Sequence, residues 1–134
     1  MPALMVAKGR EIAANRIKGT GTEPTYLHWG EDDGTILPLA DDNTALGDPR
    51  SEDRVGGMSS IVTTYTDNDT YRVVGTLTAA SAAAIKEAGL FDGAGSGTPP
   101  TGANLFIRGT FAVINLEEDD SIQFTIDAPI KAPA

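Results

Sequence analysis

Apolar and polar positions along this chain change period near residue 19. From Arg10 to Lys18 the run Arg-Glu-Ile-Ala-Ala-Asn-Arg-Ile-Lys places Ile12, Ala13 and Ile17 on one side of a 3.6-residue turn, with Val6 one or two turns earlier. That spacing predicts a helix over 10–18. Gly19 supplies the residue that ends it, and Arg16 and Lys18 stand where the negative end of the helix dipole favours cations. Pro2 and Gly9 weaken any helical extension upstream, so residues 1–9 read as an extended N-terminal arm.

Beyond Gly19 the period falls to two, and glycine and proline punctuate it. Thr25–Trp29 is short, aromatic and stopped by Gly30, as a strand is. The stretch from Glu31 to Arg54 is rich in Asp, Gly and Pro and reads as a long excursion with at most one helical turn near 43–46. Residues 59–66 and 70–78 are β-rich, and Asp67-Asn68-Asp69 between them is turn chemistry, which predicts a hairpin. The run 79–88 has high helix propensity, yet Gly89 interrupts it and 84–91 also satisfies strand spacing, so a strand is expected there. In 104–111, Leu105, Ile107 and Phe111 are assigned to the inner side, with Phe106, Arg108 and Thr110 on the other. In 121–127, Ile122, Phe124 and Ile126 point inward, and Glu117 to Asp120 form an exposed turn.

Six or so short strands, one helix and no alternating βαβ units predict a mainly β fold. The expected architecture is an antiparallel β-sandwich or barrel with one N-terminal helix and an extended N-terminal arm. The chain divides into the arm 1–9, a single β-rich domain 10–128 that includes the helix, and a Pro-containing tail 129–134.

Charge changes this picture most. The 134 residues carry 10 Lys+Arg against 19 Asp+Glu, a net of −9, which argues against binding nucleic acid or an anionic membrane. The first 19 residues run the other way, with Lys8, Arg10, Arg16 and Lys18 against Glu11 alone, a net of +3 that leaves −12 on the rest. A basic leading segment on an acidic body predicts docking onto an acidic surface. Leu4, Met5, Val6, Lys8 and Arg10 are the candidate partner-binding residues. No apolar run approaches a membrane span, and Leu4–Ala7 is too short for a signal-peptide core and precedes its basic residues. The protein is expected to stay inside the cell that makes it or to leave by lysis.

Candidate chemistry is sparse. The absence of cysteine removes disulfides, thiolate metal sites and cysteine nucleophiles. The single histidine, His28, shares a strand face with Tyr26 and Gly30 and has no Gly-x-Ser-x-Gly elbow to serve, so it is assigned a structural or interface role. Gly19-Thr-Gly-Thr-Glu-Pro24 has proline in place of the third glycine of a dinucleotide fingerprint and follows a helix instead of opening one. EF-hand loops begun at Asp41 or Asp67 would carry Leu46 or Arg72 where glycine is required. The remaining carboxylates lie mostly in Gly- and Pro-containing turns, where solvation places them. No cofactor, metal or catalytic residue is assigned, and the chain is not expected to be an enzyme.

Five segments, in order, resemble small structural proteins of tailed bacteriophages. They are Arg10 to Gly19, Tyr26-Leu-His-Trp-Gly30, Thr70-Tyr-Arg-Val-Val-Gly-Thr76, Lys86-Glu-Ala-Gly-Leu-Phe-Asp92 and Asn104-Leu-Phe-Ile-Arg-Gly-Thr-Phe111. The Glu-x-Gly-Leu-Phe-Asp and Leu-x-x-Arg-x-x-Phe pair is similar to segments of phage tail-fibre and tail-collar proteins. The resemblance spans about residues 9–128 and implies a virion component made in the host cytoplasm. The leading expectation is a capsid cement or decoration protein on the head exterior. Its partners would be the major capsid protein and itself, as a dimer or trimer, with no nucleic acid and no membrane. A tail, collar or fibre-base component is the alternative. A carbohydrate-binding sandwich, with Tyr26, Trp29, Tyr65 and Tyr71 stacking on sugar rings, is the second.

Overall fold

The computed structural model describes residues 2–131, and these form two antiparallel sheets with one helix. The order is β1 (Ala3–Met5), α1 (Ala7–Lys18), β2 (Tyr26–Gly30), β3 (Val55–Gly56), β4 (Met58–Val62), β5 (Thr70–Thr78), β6 (Ala83–Phe91), β7 (Leu105–Leu116) and β8 (Ser121–Pro129). One sheet runs β1-β7-β6-β2-β3 and the other β4-β5-β8. The mainly β class with a single N-terminal helix is therefore as expected from the alternation. Gly57 lets the chain pass from β3 in one sheet to β4 in the other, and its N–H donates to the Thr25 carbonyl at 2.7 Å.

The sheets face each other across Leu27, Trp29, Ile85, Leu90, Phe106 and Ile107 on one side and Val73 and Leu77 on the other. Phe111, Ile122, Phe124 and Ile126, assigned inward from their alternation, are half-buried and pack against this core. The Trp29 ring meets Phe124 edge-on at 6.4 Å, and Tyr71 meets Phe106 in the same way at 6.3 Å, so aromatic contacts tie the sheets together. The strand expected over 84–91 forms in spite of its alanines. Between Leu27 and Trp29 of β2 and Leu105, Ile107 and Ile114 of β7, the segment buries more apolar surface than an isolated Ala-rich helix would.

Several expectations change. A register shift between Leu90 and Phe91 turns one residue of β7, so the consecutive Phe106 and Ile107 both reach the inter-sheet core. Leu105 faces the opposite side, in a second cluster with Val6, Leu46 and Phe91. The reversal arises because alternation presumes an unbroken ladder, which a bulge breaks.

Residues 2–9 do not form a separate arm. The segment is extended through Met5, but as edge strand β1, pairing Ala3 with Gly109, Leu4 with Arg108 and Met5 with Ile107. The helix begins at Ala7, three residues ahead of the expected start, because its first turn finds tertiary acceptors. Ala7 N–H donates to the Asp41 carbonyl at 2.8 Å and Val6 N–H to that of Phe106 at 3.2 Å. Gly9, taken as a breaker, lies inside α1 and permits its approach to β7, since a Cβ there would overlap the Phe106 carbonyl oxygen. At the other end, Pro129 belongs to β8 and Ile130 N–H donates to the Asp69 carbonyl, so the first two residues of the expected tail are part of the fold. Met1 and residues 132–134 lie outside the described residues.

The excursion 31–54 contains no helix and folds back over the outer face of the five-stranded sheet. A buried charged network holds it there. Arg108, assigned to a solvent-facing side, is fully buried. It donates to Glu87 Oε1 and Asp32 Oδ2, both at 3.1 Å, to Asn43 Oδ1 at 2.9 Å and to the Leu37 carbonyl at 2.8 Å. Glu87 also accepts from the N–H groups of Asp32, Gly47 and Asp48, and Asp32 from those of Gly34, Ile36 and Leu37. Burial pushes the Asp32 carboxyl up, but these N–H donors and Arg108 outweigh it and leave its pKa below the ordinary value. Solvation thus does not place these two carboxylates; a shared cation and six backbone donors do.

Candidate functional site

At the end of the sandwich where β7 begins and β8 finishes, the two sheets splay and α1 lies across the gap. The result is an open groove of about 220 Å³. Its walls are almost wholly apolar. Met5 comes from β1, Ile12, Ala13 and Ile17 from α1, Phe106 from β7, Tyr71 and Ala128 from the three-stranded sheet, and Ile130 from just beyond β8.

Local chemistry explains why this surface is open. Tyr71 and Ala128 are cross-strand partners, and Ile61 of β4 is the next residue in the same row. The row extends past the area that α1 covers, which leaves Ile61 67% exposed. On the helix, Ile12 is buried while Ile17, one and a half turns later, is 82% exposed; Ile130 opposite is 75% exposed. Ile17 and Ile130 thus leave apolar surface exposed at the groove mouth. The Tyr71 hydroxyl donates to the Pro24 carbonyl at 2.7 Å, and burial, then the nearby Glu23, pushes the phenol up to about 12.

The rim is charged. Arg16 lines the groove, donates to the Gly21 carbonyl at 3.0 Å and forms no ion pair among the described residues. Lys18 follows on the last turn of α1 and is likewise without an ion pair, while Lys131 lies over the Tyr65 ring at 4.6 Å. Glu23 is the acid among the lining residues, and its carboxylate accepts from Ser59. Within the lining itself, Arg16 and Glu23 balance in charge.

Of the five residues expected to bind a partner, the structure brings only Met5 into the groove. Val6 is fully buried in the second apolar cluster, and Leu4 is a half-buried member of β1. Lys8 is paired with Glu11 at 3.0 Å, and Arg10 makes a bidentate pair with Asp41 that lowers the Asp41 carboxyl. Among the groove residues, Arg16 belongs to the basic leading segment and Tyr71 to the aromatics expected to stack on sugars, whereas Ile17, Phe106 and Ile130 were assigned to no binding surface. Ile17 carried a signal, because it ends an apolar helix face just where the helix ends; Phe106 and Ile130 carried none that alternation could read.

His28 is fully buried on the outer face of β2, where Nε2–H donates to the Arg50 carbonyl at 2.9 Å. Burial lowers its pKa below the ordinary value, which fits a structural histidine. Beside it, Glu52 accepts from Trp29 Nε1 at 2.9 Å and from Arg50 at 2.7 Å. Burial pushes the Glu52 carboxyl up, but these donors and Ala80 N–H prevail and hold it at about 2. Trp29 is fully buried and Tyr71 is committed to Pro24, so the aromatics expected to stack on sugars do not form a platform. Among the described residues no group of three or more His, Asp or Glu is arranged to hold a metal ion, and no helix is long and apolar enough to cross a membrane.

Comparison with known protein families, with curated proteins and with solved structures finds no match to this chain.

Proposed function

We propose that this chain is a virion structural protein of a tailed bacteriophage, acting as a cement or decoration protein on the outer surface of the head. The observation that supports this reading is the open apolar groove at one end of an acidic sandwich. Such a site suits an apolar protein segment. The net charge of −9 suits the exterior of a shell, because packaged DNA repels an acidic protein. The major capsid protein is the proposed partner. The phage-like Glu87 to Asp92 segment favours a second reading, a tail, collar or fibre-base component. Here Glu87 anchors the loop network and Leu90 and Phe91 fill the two cores, so the segment acts as scaffold in either location.

Quantitative electrophoresis of purified particles tests both. Stoichiometry comparable with the major capsid protein is the result expected for decoration, and a few copies per particle would move the protein to the tail. Its absence from purified particles would overturn the virion reading.

A further inference from the structure

β4 is an edge of the three-stranded sheet, and among the described residues its backbone is hydrogen-bonded to β5 alone. Alternate residues of Met58–Val62 therefore turn an N–H and a C=O away from β5 toward solvent. Sheet edges are ordinarily blunted by short length, charge, proline or a bulge, and the other edges here carry such a device. β3 is two residues long, and β1 is three residues long and begins after Pro2. β7 beyond Thr110 is bulged against β6, and β8 leaves the acidic turn Glu117-Glu118-Asp119-Asp120 and ends with Asp127 and Pro129. β4 has none of these, since Val55 to Thr66 contains no charged residue and no proline. Its apolar side chains are open on both faces. Ile61, on the inner face opposite Tyr71, is 67% exposed, and Met58, on the outer face opposite Val74, is 79% exposed. The charges beside the strand balance. Glu23, whose carboxylate accepts from Ser59, shares the groove lining with Arg16, and Arg72 opposite Ser60 is paired with Asp127 at 2.7 Å.

We propose that the β4 edge is where a second copy of this chain docks. The two β4 strands pair antiparallel across a two-fold axis at Ser60 and join the three-stranded sheets into one of six strands. Self-complementarity selects this occupant. Pairing about Ser60 sets Met58 opposite the partner's Val62 and Ser59 opposite the partner's Ile61. The two Ile61 side chains then meet as diagonal neighbours on the inner face, about 7–8 Å apart at Cα. A two-fold contact sets every charge near the axis beside its own copy, and in a molecule of net charge −9 this uncharged edge avoids that repulsion. β8 would instead bring Asp127 and the acidic turn of the two copies toward one another. Because the same patch serves both copies, the contact is isologous and closes at a dimer. The proposal goes beyond the cement reading and does not rest on it. Since it is tested on purified protein and the cement reading on purified particles, either can fail alone.

The test is sedimentation velocity over a concentration series, with charge exchange at Ile61. Five paired residues from each copy make a small contact, so the parent is expected to dimerise between about micromolar and about millimolar concentration. Salt is expected to strengthen the dimer, because it screens the repulsion of two acidic molecules as the Debye length falls from about 10 Å at 0.1 M to about 3 Å at 1 M. Ile61→Lys and Ile61→Glu each set like charges together across the axis, and each variant alone is expected to dimerise at least about tenfold more weakly. An equimolar mixture of the two sets opposite charges together and is expected to associate at least about tenfold more tightly than either variant alone. Ile61 is exposed, and circular dichroism and melting check that each variant folds. Amide exchange of the parent at low and high concentration reads the main chain, with added protection expected at alternate N–H groups of Met58–Val62. A parent that stays monomeric at about millimolar concentration, the weak end of measurable association, overturns the proposal. So do variants that dimerise like the parent, a mixture no tighter than its components, a dimer that weakens with salt or gains no protection in β4, and growth beyond two copies.

Discussion

Replacing Arg108 with methionine keeps the volume roughly constant and removes the only cation, among the described residues, within hydrogen-bonding distance of two carboxylates that are 0% and 1% exposed, Glu87 and Asp32. Breaking a buried ion pair by deleting one partner costs about 3–5 kcal/mol, because the remaining charge is left uncompensated. Here two charges remain, which raises the cost, while six backbone N–H groups still donate to them, which lowers it. The variant also orphans the Leu37 carbonyl and Asn43 Oδ1. A loss of about 4 kcal/mol is the expected result, a large part of the roughly 5–15 kcal/mol that holds a domain together. Urea unfolding at pH 7 measures it. Amide exchange adds a local readout, since Leu37, Gly47 and Asp48 N–H groups should lose protection before the strands do if the network clamps the 31–54 excursion. The triple variant Arg108→Met, Glu87→Gln and Asp32→Asn removes all three charges and should recover part of the loss. A single variant within about 1 kcal/mol of the parent, the scale of one ordinary hydrogen bond, would refute the argument that these charges are desolvated and mutually dependent.

Gly9→Ala should lower the melting temperature although alanine favours helix by about 1 kcal/mol, because its Cβ collides with the Phe106 carbonyl; a raised melting temperature would mean α1 does not sit against β7. Val6→Ala should cost about 2 kcal/mol in urea unfolding, from two lost methyl groups and the cavity they leave, and deleting residues 1–6 should destabilise the protein further by exposing β7. His28 is held neutral in the folded protein, so it binds fewer protons folded than unfolded. Its contribution is complete above the unfolded pKa of about 6.5 and is lost as pH falls from there toward its lowered folded value. His28→Gln should flatten the fall in stability between pH 7 and 5, and an unchanged slope in chemical unfolding would assign that pH dependence elsewhere.

The fold class was legible in the sequence because it rests on local period. The change from 3.6 to 2 near Gly19, the Asp67-Asn68-Asp69 turn and the alternation over 121–127 are properties of consecutive residues, and each corresponds to an element of the structure. The strand at 83–91 was legible too, although helix propensity opposed it, since Gly89 and the apolar spacing outweighed the alanines. What depended on distant parts of the chain was not. One bulge in β6·β7 exchanged the faces of Leu105 and Phe106, and the Asp41 and Phe106 carbonyls started α1 at Ala7. Arg108 reads as an outward residue of an alternating strand until a loop 65 to 76 residues earlier in the chain covers it with Asp32, Leu37 and Asn43. The basic leading segment was correctly read as charge but not as geometry. Lys8 and Arg10 found partners within the fold, and the free cations fell at Arg16 and Lys18 beside the groove. Composition determines which charges a chain has, whereas only tertiary packing decides which of them are neutralised internally and which remain for a partner.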